Sequence, residues 1–124
     1  DMVIPSLDAW NPEMFAAVGG HSPALFIDNA GPIYNPLTTA LNPAISGLPI
    51  YLDIGQGDWL IQGVLDLHES MSAAGIPHTW FLNPGSHGDQ YWRAHAADYV
   101  AWYASYWPAE GLAAYPPANR DCTP

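Results

Sequence analysis

Residues 48–106 read as strand, helix, strand, helix, which predicts an α/β protein built on a parallel sheet, of which this chain holds only part. Two observations carry that expectation. Apolar runs of strand length, at 48–54 and 78–82, alternate with stretches of three-to-four periodicity at 59–74 and 89–106. The connections between them are short, so successive strands are expected side by side, joined by right-handed crossovers. A parallel sheet buries both of its faces, and two or three strands are too few to form one alone. The remaining strands are expected from elsewhere.

The elements follow in order. Residues 1–14 are polar and punctuated by Pro5, Asn11 and Pro12. Phe15 to Val18 is a short apolar run closed by Gly19-Gly20, read as a buried strand. Residues 28–47 hold Gly31, Pro32, Pro36, Pro43 and Gly47, an irregular excursion with at most short helical turns. The run 48–54 is the clearest strand, with Pro49 near its start, where a missing donor does least harm. Ile50, Leu52 and Ile54 fall on one face, Tyr51 and Asp53 on the other. From Trp59 to Ala74, Leu60, Val64, Leu67 or His68, and Met71 recur at helical spacing, and Gly75 takes the place of a terminating glycine. The strand 78–82 ends in Asn83-Pro84-Gly85. A last helix, 89–106, carries Trp92, His95, Tyr99, Trp102 or Tyr103, and Tyr106 on one stripe, and Pro108 stops it. Residues 1–107 are thus one partial domain and 108–124 a Pro/Ala-rich tail.

At 124 residues, 49% hydrophobic and 11% charged, the chain is long and apolar enough to bury a core. Its formal charge of −10, with two arginines and no lysine, lacks a basic footprint and argues against nucleic-acid or anionic-membrane binding. No run approaches a membrane span. The sequence opens on Asp1 rather than Met, so further chain is expected upstream, either removed or not included here. The one cysteine, Cys122 in the tail, excludes an internal disulfide; a free thiol and a bridge to another chain both remain open. Acidity, absence of lysine and a single cysteine fit an exported protein, with a cytosolic one as the alternative.

In open parallel sheets, reactive groups gather at the carboxyl ends of the strands. Asp58 follows the strand 48–54 by a glycine turn, and His87 follows the strand 78–82 within Pro84-Gly85-Ser86-His87-Gly88. An acid and a histidine at successive strand ends suit a general base whose tautomer a carboxylate holds. Each has a plainer reading. Asp58 can cap the helix that follows it, and His87 can be a loop histidine bonded to backbone.

The stretch 49–58, then Gly75-Ile76-Pro77-His78, then Pro84-Gly85-Ser86-His87 and Tyr91-Trp92, resembles the C-terminal half of an esterase family of the α/β-hydrolases. That family includes esterase D, enterochelin-esterase-like enzymes, feruloyl esterases and mycolyltransferases. Upstream, residues 11–24 resemble the strand that follows the nucleophile helix in the same family, so the likeness covers residues 11–107. It implies that Asp58 is the acid and His87 the base of a serine triad, with Asp53 as second choice for the acid.

The chain departs from that family in lacking a G-x-S-x-G nucleophile elbow. The nearest imitation, Gly20-His21-Ser22-Pro23-Ala24, places after the serine a proline with no N–H for an oxyanion hole. Ser22 is therefore not expected to be the nucleophile, and Ser86 still less. A companion polypeptide or absent segment carrying G-x-S-x-G is the expected partner, and a small carboxylic ester the expected substrate, with acyl transfer as a variant. No cofactor is required. His21, His68, His78 and His95 form no H-x-H or H-x-x-x-H pair, so no metal is expected either. Trp59, Trp80, Tyr91 and Trp92 lie near the two loops and are candidates to line an acyl or aryl pocket. The rival reading is a non-catalytic module of the same fold, with aromatics stacking on sugars.

Overall fold

The computed structural model describes residues 16–25 and 35–107. The tail 108–124 with Cys122, and Phe15 with the segment before it, lie outside them.

Three parallel strands, β1 (Val18–His21), β2 (Ile50–Gly55) and β3 (Thr79–Asn83), form one sheet in the order β1-β2-β3. Val18 is level with Ile50 and His21 with Asp53; Tyr51 is level with Thr79 and Gly55 with Asn83. Every residue of β2 is buried, as a central strand requires. β3 is an edge among the described residues, and Phe81 and Leu82 on it are exposed.

A helix covers each face. α2 (Ile61–Ala73) buries Val64, Leu67 and Met71 against Ile50, Leu52 and Ile54 of β2. Each such aliphatic side chain contributes about 1.5–3 kcal/mol by leaving water. The cluster is closed by Leu25, Ala40, Ile45, Leu48 and Leu60. Between β1 and β2, α1 (Pro36–Thr39) and a 3-10 turn (Pro43–Ile45) are each started by an asparagine. Asn35 accepts from the Leu37 amide and Asn42 from the Ala44 amide, with proline at the first helical position of each.

α3 (Asp89–Ser105) lies on the other face, and its buried residues are Tyr91 and Tyr99. The aromatic stripe therefore starts from Tyr91 rather than Trp92. The reason is polar: both phenols reach Asp53, which projects from β2 on the Tyr51 side.

The first strand differs from the sequence expectation. It begins at Val18 and runs through the glycine pair that was read as its end. α3 packs so closely here that a Cβ on Gly19 would collide with the Tyr103 hydroxyl. Gly19 is a strand residue because nothing larger fits beneath the helix, while Gly20 lies tightly against Leu52 and Pro23 on the other face.

Candidate active site

The site is built by two loops at the carboxyl ends of β2 and β3, laced together by backbone. Gln56 donates to the Asn83 carbonyl and Gly57 to the Gly85 carbonyl, both at 2.8 Å, continuing the sheet beyond its strands. The approach requires glycine, since a Cβ on Gly55 would come within 2.5 Å of the Gly85 oxygen. Gly85 itself has φ +127°, a conformation that side chains rarely adopt.

Asp58 closes the first loop, its own amide donating to the Gly55 carbonyl at 3.0 Å. Its carboxylate is 2% exposed and serves two partners. Oδ1 accepts the Leu60 amide at 2.9 Å, and Oδ2 meets His87 Nδ1 at 3.0 Å. Oδ1 thus closes a turn just ahead of α2, which starts at Ile61 with no side-chain cap, so the helix-capping reading of Asp58 is not met, while Oδ2 makes the pair. His87 keeps 31% of its side chain exposed, and among the described residues Nε2 has no hydrogen-bond partner. With Nδ1–H donated to Asp58, Nε2 is left as a bare acceptor facing outward.

Two indoles flank the ring. Trp92 meets it edge-on at 5.1 Å between centroids, and Trp59, 72% exposed, is tilted at 5.9 Å. The other two aromatic candidates are placed differently. Trp80 stacks on His68 at 4.3 Å, against the α2 face, because it sits level with Leu52 and shares its side of the sheet. Tyr91 borders a cavity of about 350 Å³ beside the His87 loop, but its hydroxyl is committed to Asp53 at 2.6 Å. A larger hollow of about 590 Å³ lies at the opposite ends of β2 and β3, lined by Leu48, Pro49 and His78 among others, away from the pair.

Asp53, the second choice for the acid, is fully buried and does not face His87. Its partners are His21 Nδ1 at 2.7 Å and the hydroxyls of Tyr91 and Tyr99, both donating to Oδ2 at 2.6 Å. His21 is stacked on Tyr99 at 3.7 Å, and its Nε2 is met by the Tyr103 hydroxyl at 3.1 Å. Burial, then the bond to Asp53, holds Tyr91 and Tyr99 far above the usual phenol range. Burial and the Asp53 charge push Tyr51 up to about 12 and raise Tyr103 in the same direction. Tyr91 and Tyr99 therefore stay protonated and donate to Asp53.

Sequence reasoning missed this second pair. Half of its signal was present, since an aspartate inside an apolar strand needs buried donors, but nothing local names His21 as one of them. A third histidine contact was missed too, His68 Nδ1 to His78 Nε2 at 2.8 Å, with His78 Nδ1 on the Ile76 carbonyl.

Ser22 sits at the end of β1 with φ +51°, its amide on the Asp53 carbonyl at 2.9 Å. It is 2% exposed, and its hydroxyl has no hydrogen-bond partner. An elbow serine presents its oxygen to substrate; this one is covered. Among the described residues, no three His, Cys, Asp or Glu side chains converge as metal ligands, and no helix is long and apolar enough to cross a membrane.

Compared with known proteins, the chain matches no family model and no curated protein. It is similar to a solved structure of a ferulic acid esterase, with a TM-score of 0.69 and 16% identity, over 82% of this chain. The match takes in 46% of the esterase, so this chain spans less than half of that protein's length. The three parallel strands and their helices are part of an α/β-hydrolase fold.

Proposed function

We propose that this chain supplies the acid and the base of a serine carboxylic-ester hydrolase whose nucleophile lies on a segment outside these 124 residues. The observation that carries the reading is the His87–Asp58 pair: a buried carboxylate on Nδ1, with Nε2 turned outward at the carboxyl edge of a parallel sheet. The distant likeness to a ferulic acid esterase supports the ester class.

In this reaction the serine hydroxyl attacks the ester carbonyl while His87 Nε2 takes its proton. Asp58 stabilises the resulting imidazolium and holds the ring's tautomer. Collapse of the tetrahedral intermediate breaks the bond to the alcohol, which leaves with the proton from His87. Water then repeats the sequence on the acyl-serine, giving the free acid; another alcohol in its place gives acyl transfer. Trp59 and Trp92, at 5.9 and 5.1 Å from the imidazole between centroids, are the candidates to contact a flat acyl or aryl group. Ser22, buried and followed by Pro23, takes no part.

The test is to supply a polypeptide carrying the G-x-S-x-G elbow and the preceding strands, and to assay a chromogenic short-chain ester. Activity is expected only in the mixture. His87→Ala should remove it by about 10³ to 10⁶. Peptide mapping after treatment with a serine-directed phosphonate should find the tag on the added segment. Hydrolysis by this chain alone with His87 replaced, or a tag on Ser22, sinks the assignment.

A further inference from the structure

A triad histidine is useful only while its loop keeps Nδ1 on the carboxylate, so what fixes the Pro84–Gly88 turn matters as much as the pair itself. Contacts converge there from one residue, through its backbone, its ring and its hydroxyl. The Tyr91 amide donates to the Gly88 carbonyl at 3.0 Å, closing the turn behind His87. The Tyr91 ring fills the space beneath Gly85, where a Cβ would come within 2.9 Å of it. The Tyr91 hydroxyl donates to Asp53 Oδ2 at 2.6 Å and accepts from Asn83 Nδ2 at 3.2 Å. Asn83 ends β3 just before the turn, and Asp53 lies on β2 five positions before Asp58. One phenol thus ties the strand that carries the acid to the loop that carries the base.

We propose that Tyr91 is a positioning residue for His87: anchored on Asp53 and Asn83, it holds the loop so that the imidazole stays on Asp58. The inference rests on the ester-hydrolase reading for its purpose, but its geometry can be tested in this chain alone. Tyr99 provides the contrast. It donates to the same Asp53 oxygen over the same 2.6 Å and belongs to the same helix, but it makes no hydrogen bond to Asn83 or to the loop. Removing either hydroxyl leaves Asp53 one donor short; only that of Tyr91 also bonds Asn83, the residue that leads into the His87 loop.

The readout is the tautomer of neutral His87, taken from its two ring ¹⁵N shifts in the full 124-residue chain at alkaline pH. The native chain should favour Nδ1–H, and Asp58→Asn should abolish that preference. Tyr91→Phe should reduce the Nδ1–H to Nε2–H ratio by roughly fivefold, the loss of about one ordinary hydrogen bond. Asn83→Ala, which leaves all three donors to Asp53 in place, should shift it the same way by less. Tyr99→Phe should leave it unchanged. Should Tyr91→Phe fail to fold, the contrast between Asn83→Ala and Tyr99→Phe decides. An equal drop in the Tyr91 and Tyr99 variants, or no drop in the Tyr91 and Asn83 variants, overturns the positioning role and leaves the triad reading standing. No Nδ1–H preference in the native chain overturns both.

Discussion

His21 and His87 each face a buried carboxylate through Nδ1, at 2.7 and 3.0 Å, and both stand at the carboxyl end of one small sheet. They differ in what surrounds them. Asp53 gives one oxygen to His21 and the other to two phenols, while the far nitrogen of His21 is met by Tyr103 and its face is covered by Tyr99. Asp58 spends its second oxygen on the Leu60 amide in the turn ahead of α2, and the far nitrogen of His87 has no hydrogen-bond partner among the described residues. A histidine–carboxylate pair is thus no evidence of catalysis by itself. The sealed pair joins helix to sheet; the open one leaves a ring nitrogen without a hydrogen-bond partner among the described residues. Side-chain exposure separates them by a factor of two, 16% against 31%.

That contrast can be broken at either end. The largest effect expected is on turnover: with the serine segment supplied, Asp58→Asn should lower kcat by about 10⁴. Asparagine can still accept the Leu60 amide through its Oδ1, so the urea midpoint should barely move. Asp53→Ala should do the reverse in kind, costing about 3–5 kcal/mol of stability by stranding three buried donors. Equilibrium urea unfolding measures it, and an unchanged midpoint would show that the network fastens nothing. Next, Gly19→Ala drives a methyl into the Tyr103 hydroxyl and should cost about 1–3 kcal/mol while leaving the His87–Asp58 signals in place.

The smallest effect comes from the pair that has no carboxylate. Burial, and then the proximity of His78, lowers the His68 pKa below 6.5, with Glu69 opposing. The folded chain therefore binds fewer protons than the unfolded chain as pH drops beneath that value. Stability from this contact is full above about pH 6.5 and declines below it. Replacing His68 with Gln should flatten the slope of urea midpoint against pH in that window. An unchanged slope would separate acid sensitivity from this pair.

β2, β3 and the two long helices were legible because apolar runs and glycine breaks mark them without ambiguity. β1 was misplaced for a physical reason: Gly19 and Gly20 signal a turn in sequence, but here they answer the tight packing of Tyr103 and of Leu52. Asp58 and His87 were legible from their strand-end positions. The His21–Asp53 pair was not, because it depends on lateral register between strands 32 residues apart, which no local pattern encodes. Tyr91 was read as a pocket residue since one dimension of sequence shows only that it lies near His87. Its burial beneath Gly85 is a property of the folded loop.

The lacing of Gln56 and Gly57 onto Asn83 and Gly85 bears on how such a site can vary among descendants of one ancestor. One residue inserted in either loop slips this ladder and carries Asp58 or His87 out of line with the other. Substitution of glycine at 55 or 85 meets backbone or the Tyr91 ring. Lengthening these loops is therefore a poor way to vary the site and keep the His87–Asp58 contact. Variation is better accommodated by side chains outside the ladder, such as those of Phe81 and Leu82, which are exposed on β3.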